Sequence, residues 1–210
     1  MLVFPTLFVF FEIKGQALAY NLQESNYLFG WWVMKRSVSL WQLWGFAVTA
    51  LGGTLLHFLY DWTNKSLIVA PFSGVNESTW EHIKLLFWPM FLFAIVQYFF
   101  FKDRDNFWSI KLFGTLVGMI LIPILFYTYN GVIGRSPDWI NITIFFVAAA
   151  VAYITETYLF KRDPAWNRGK LSFFVLVLIA LLFLVFTFYT PEIALFKDPV
   201  DGTYGVTVSE

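Results

Sequence analysis

The chain has no cysteine. That single absence excludes disulfides, thiolate nucleophiles, iron–sulfur clusters and cysteine-ligated zinc together. Charge is nearly as scarce: 13% of the 210 residues are charged, against about 25% in a soluble domain. The 14 basic and 14 acidic residues cancel, so no long-range field gathers nucleic acid, and nucleic-acid partners drop out. Histidine occurs twice. What is abundant is apolar surface, 59% hydrophobic with 22% aromatic, the composition of a chain whose main solvent is lipid.

Five apolar runs are long enough to cross a hydrocarbon core of about 30 Å, which takes about 20 helical residues. They are Leu40 to Trp62, Trp80 to Phe101, Ser109 to Tyr129, Trp139 to Phe160 and Leu171 to Thr190. Their apolar residues run continuously instead of alternating, which predicts helices and not barrel strands. The expected fold is therefore all-α, a polytopic transmembrane helix bundle of five spans. Three parts follow: an N-terminal apolar or interfacial segment (1–38), the bundle (39–192), and a C-terminal tail or cap (193–210).

Basic residues stay on the cytoplasmic side of a membrane. Lys35 and Arg36 precede the first run, Lys102, Arg104 and Lys111 separate the second from the third, and Lys161, Arg162, Arg168 and Lys170 separate the fourth from the fifth. The opposite loops carry Lys65 and Arg135. This bias places the N-terminus inside, the C-terminus and tail outside, and predicts a multi-pass protein of the cell membrane. Trp41, Trp44, Trp62, Trp80, Trp108, Trp139 and Trp166 fall at span ends, as an interfacial aromatic belt requires. The first residues, MLVFPTLFVFFEIKGQALA, lack the basic start of a signal peptide and contain Pro5, which favours an interfacial or re-entrant segment.

The scarce polar residues are not spread evenly. VNESTWEHIK, Val75 to Lys84, opens the second run, while His57 and Asp61 sit in the last two turns of the first. Helices joined by one loop are usually antiparallel neighbours, so both histidines fall in one layer at the predicted outer surface. His57 and Asp61, four apart, point the same way. Glu77, Glu81 and Lys84 would share one helix face, with Ser78 and His82 adjoining. A plainer account covers part of this: Ser78-Thr79-Trp80-Glu81 is a capping-box pattern, or Asn76 caps while Val75 packs on Trp80. Lys84 can snorkel outward, and so can Glu156 in the fourth run. Capping does not account for His57, Asp61 and His82, and ionisable groups inside a membrane are functional candidates. Asn76, Ser78 and Asn130 extend the polar layer, although Asn130-Gly131 is also a helix-ending dipeptide.

HFLYDW at His57, VNESTWEHIK at Val75 and FKDPVDGTYGV near the C-terminus resemble an uncharacterised family of bacterial multi-pass membrane proteins, a domain of unknown function. The resemblance spans Leu43 to Val206 and implies a small integral protein of the bacterial envelope. It supplies no activity and no site residues.

Three function classes fit these residues. In a metal-dependent hydrolase acting at the membrane surface, His57, Asp61 and His82 would ligate a divalent ion such as zinc, with Glu81 or Glu77 as general base. Two nitrogens sharing an ion at about 2.0–2.1 Å each would stand about 3–4 Å apart. In a small transporter or solute-binding component, the layer would bind a polar solute or proton; a homo-oligomer or a membrane partner would offset its small size. In a noncatalytic scaffold, sensor or immunity-type protein, the layer would lock helix packing. The tail, with the turn pair Asp201-Gly202, is expected to fold as a hairpin or cap and to cover the layer as a lid, with Lys197 and Asp198 near the carboxylates.

Overall fold

The computed structural model describes residues 37–134, 137–166 and 168–206. The N-terminal segment, Lys35, Arg36 and Arg135 lie outside the described residues. Residues 41–210 form one compact unit that carries the helical bundle.

Five long helices carry the apolar runs: α1 (Ser37–Trp62), α2 (Thr79–Phe101), α3 (Phe107–Ile133), α4 (Asp138–Arg162) and α5 (Gly169–Phe188). Each is long and apolar enough to cross a bilayer, and among the described residues the only strand pairing is one isolated bridge in the tail. The all-α, membrane-compatible architecture expected from the sequence is what folds.

The helix α2 is the axis of the bundle. Two thirds of its apolar window is buried (67%), against 22% for α1 and 28% for α5. Its Leu86, Phe87 and Met90 are fully enclosed, against Ala148, Ala149 and Ala152 of α4 and Leu176 and Phe183 of α5. Because a bilayer is as apolar as leucine, close packing has to supply the attraction between helices, and small residues permit it. Gly45, Gly52 and Gly53 of α1 supply that approach: added Cβ atoms would stand 2.5 Å from Tyr153, 3.1 Å from Pro89 and 2.4 Å from Phe145. Pro89 cannot donate to the Leu85 carbonyl, and Gly53 lies against that same carbonyl.

Three pairs of polar side chains inside the bundle bridge its helices. Lys111 of α3 and Glu156 of α4 meet at 2.6 Å, their side chains 1% and 0% exposed. An added Cβ at Gly114 would fall 2.2 Å from Glu156 Cγ, so only glycine lets that carboxylate lie against α3. The Tyr153 hydroxyl meets Thr49 Oγ1 at 2.8 Å, and Ser109 meets Ser172 at 3.1 Å. These pairs correct two expectations. Lys111 is not a loop charge, because α3 begins at Phe107 and carries it into the core, and Glu156 does not snorkel.

The tryptophans also divide. Trp44, Trp62, Trp139 and Trp166 are exposed, as a belt requires. Trp41 instead packs on Phe93 and Phe100, Trp80 on Phe183 and Phe196, and Trp108 on Tyr98 and Phe173. These three rings are half-buried against their aromatic neighbours.

After α5 a single 3₁₀ turn, Ala194–Phe196, drops Phe196 onto Trp80, 4.5 Å between ring centroids. The chain then reverses, and the expected hairpin is reduced to one antiparallel bridge between Lys197 and Tyr204. Asp201 shapes the reversal: hydrogen bonds from the Thr203 hydroxyl (2.7 Å) and amide (2.9 Å) hold its carboxyl below the usual aspartate range. Gly205, at φ +61°, closes onto Thr190, where a Cβ would come within 2.1 Å of the hydroxyl oxygen. No side chain fits there.

Candidate functional site

The polar layer is built around the start of α2. Ser78 is the N-cap, in extended conformation, and its hydroxyl accepts the Glu81 amide at 3.4 Å. The capping box is only half realised. Glu81 Oε2 accepts the Val75 amide at 3.1 Å, and the Ser78 amide donates to Asn76 Oδ1 at 3.0 Å. The turn before the helix is thus held by three side chains of VNESTWEHIK.

Glu81 is then drawn inward. It is 2% exposed and forms an ion pair with Lys84 at 2.5 Å. Lys84, fully buried, also donates to the Ala70 carbonyl at 2.9 Å and to Thr187 Oγ1 at 3.3 Å. The expected snorkelling of Lys84 does not occur, because the α1–α2 loop folds over it and supplies the acceptor. Every ammonium proton of Lys84 has an acceptor in this arrangement, one each on Glu81, Ala70 and Thr187. Lys84 ties α2, the loop and α5 together.

Glu77 behaves differently because it precedes the cap and is not part of the helix. Its side chain is free of the Glu81 face and turns to the imidazoles. Glu77 Oε1 lies 3.5 Å from His57 Nε2 and Oε2 lies 3.8 Å from His82 Nε2. The two rings are 5.8 Å apart between centroids. One ligand atom from each of His57, Glu77 and His82 lies within 4.8 Å of the other two, somewhat wider than the 3–4 Å expected for the nitrogens. The side chains are 30%, 46% and 17% exposed, half-open to the surface at this end of the bundle.

The tautomer of His82 follows from its neighbour. Its Nδ1 lies 2.9 Å from the Ser78 carbonyl, which can only accept, so Nδ1 carries a proton. Nε2, facing Glu77, then presents a lone pair unless it too is protonated. At 3.5 and 3.8 Å the carboxylate and the imidazoles stand close enough to share a proton or a metal ion after a small movement.

Asp61 lies outside this convergence. It is exposed one turn beyond His57, so the carboxylate brought to the two imidazoles is Glu77, donated by the loop. Asn130 turns its amide to the Phe126 carbonyl of its own helix, 3.0 Å. Asn141 of α4, by contrast, lines a small cleft with His82 and Thr79. Glu77 was legible as a candidate, but its place outside the helix was not, because Ser78 and Asn76 compete for the cap position in the sequence.

The tail braces the same turn. Buried Asp198 accepts the Glu77 backbone amide at 2.9 Å, and the Asn76 side-chain Nδ2 donates to the Gly205 carbonyl at 3.3 Å. A hydrogen bond to a charged acceptor contributes about 1.5–3 kcal/mol, so Asp198→Ala should lower stability by that order in detergent unfolding. A change below about 0.5 kcal/mol would mean the tail is not seated on Glu77.

Among the described residues, the fold and this cluster define a five-helix, membrane-compatible bundle with one His/Glu/His group at the mouth of its central helix. The chain belongs to DUF6512, a family of unknown function, whose model matches residues 31–206. The match begins twelve residues before Leu43, where the resemblance read from the motifs starts. No curated protein and no solved structure matches the chain.

Proposed function

We propose that this is a metal-dependent hydrolase of the cell membrane, working at the bilayer surface, with His57, Glu77 and His82 as the ligands of a divalent ion such as zinc. One observation carries the reading: three acceptor groups converge, while the far nitrogen of His82 is held by a backbone carbonyl. That second hydrogen bond is how metal-binding imidazoles are normally oriented. Two histidines and one carboxylate form a three-ligand set of the catalytic kind, leaving a fourth position for water whose pKa the ion lowers toward 7. Asp61, one turn from His57 and exposed, is the carboxylate left to accept the proton of that water. Glu81 is excluded from that role by its ion pair with Lys84. With the N-terminus inside, as the basic loops favour, the site faces the extracytoplasmic surface.

Protein refilled with zinc and freed of excess should carry one ion per chain by elemental analysis. His57→Ala and His82→Ala should each abolish this, while Thr54→Ala, on the neighbouring face of α1, should keep it. Should wild type remain free of stoichiometric zinc, manganese and cobalt, the three side chains are a polar contact without an ion, and the hydrolase reading loses its mechanism.

A further inference from the structure

Beside the cluster, between α1, α2 and α4, lies a cavity of about 110 Å³. The two imidazoles form its polar end. Its remaining walls are Gly53, Phe58, Leu85, Ile142 and Phe145, with Thr54. The Thr54 hydroxyl donates to the Ala50 carbonyl of its own helix at 2.8 Å, so apart from the imidazoles and that oxygen's lone pairs the lining offers a ligand hydrocarbon.

The rim shows where the cavity opens. Phe58 is 45% exposed on α1 and Ile142 is 57% exposed on α4, both on helices that suit a bilayer. The mouth therefore faces sideways, toward lipid. Depth agrees: His57 is five residues before the exposed Trp62, about 7.5 Å at 1.5 Å per residue. Trp62, as an interfacial side chain, marks the headgroup level, which puts the imidazoles where the acyl linkages of a bilayer lipid lie.

From this we infer that the substrate is a bilayer lipid carrying an acyl ester, one chain of which enters sideways into the α1–α4 slot so that its carbonyl meets His57, Glu77 and His82. The inference rests on the metal-site reading. In the hydrolysis, the oxygen of water bonds to the acyl carbon and the ester C–O bond breaks. One proton of that water leaves with the alcohol and the other stays with the acyl group, giving a fatty acid. No oxidant, reductant or further co-reactant is needed. A polar solute arriving from water would meet Glu77 directly and have no use for the slot, so the apolar wall separates lipid from soluble substrates.

Alkyl hydroxamates test this, because the hydroxamate binds the ion and the chain reports on the slot. Zinc-loaded protein in phosphatidylcholine nanodiscs is titrated with acetohydroxamate and with dodecyl hydroxamate. The chain reaches the slot from lipid, which is as apolar as the slot, so partition into the disc is common to every variant and the comparison is between variants at fixed lipid. Ile142→Trp and Thr54→Trp fill the slot from two helices, both at exposed positions. A chain forced against the added ring meets overpacking, so each should cut the dodecyl over acetyl advantage by about tenfold while leaving acetohydroxamate affinity and one zinc per chain unchanged. If both variants keep the wild-type advantage, the slot takes no chain and the lipid inference falls, with the metal site intact. If wild type holds no zinc and binds no acetohydroxamate, the metal reading falls and takes the inference with it.

Discussion

Lys111→Ala is expected to destabilise the bundle by about 3–5 kcal/mol, because it leaves the Glu156 carboxylate buried without its counter-charge. The partner is 0% exposed and 2.6 Å away. Glu156 Oε1 already has no hydrogen-bond partner among the described residues, so the carboxylate depends on Lys111 for its other oxygen. Glu156→Ala should cost a similar amount by stranding the ammonium over the Tyr153 ring, 5.3 Å from its centroid. The double change Lys111→Met with Glu156→Leu removes both charges and keeps volume, and should fall within about 1–2 kcal/mol of wild type or be more stable. Unfolding by sodium dodecyl sulfate in mixed micelles measures all three. Equal losses in the single and double variants would show that shape, not charge, holds α3 to α4.

The contrast between this pair and the spans shows what the sequence displays and what it hides. Five long apolar runs are visible because hydrocarbon demands unbroken apolar length, and α2, α3, α4 and α5 begin and end within a few residues of the runs read from composition. Which face of a helix looks inward is set by partners remote in sequence. Lys111 reads as a loop charge because its partner is 45 residues away, and Lys84 reads as a snorkelling side chain because its acceptor is the Ala70 carbonyl of a loop with no regular pattern. The layer joining His57 to His82 was legible, since one loop connects their helices. Its geometry was not: whether Glu77 belongs to the helix depends on which of two cap residues wins, and a single position decides where its carboxylate points. The slot beside the imidazoles was invisible altogether, because Gly53, Ile142 and Phe145 read as ordinary span residues until α1 and α4 are packed together.

The two glutamates of VNESTWEHIK should therefore separate cleanly in one experiment. Glu81→Ala strands Lys84, fully buried, and should cost about 3–5 kcal/mol. Glu77→Ala removes a side chain 46% exposed, and should change stability by less than about 1 kcal/mol. For metal the order reverses. Partners that merely orient a ligand already cost about 10–100-fold in affinity when lost, so removing Glu77, the proposed ligand, should cost about 100-fold or more. Glu81→Gln keeps the shape of the side chain and an acceptor for Lys84, and protein that folds with it should bind zinc within about threefold of wild type, since the Glu81 carboxylate bonds Val75 and Lys84 instead of the imidazoles and only groups that orient a ligand cost about 10-fold or more. Zinc titration and unfolding of the same preparations give both readouts. If Glu81→Gln abolishes metal binding while Glu77→Ala retains it, the roles have been exchanged, and the carboxylate that matters is the one buried against Lys84.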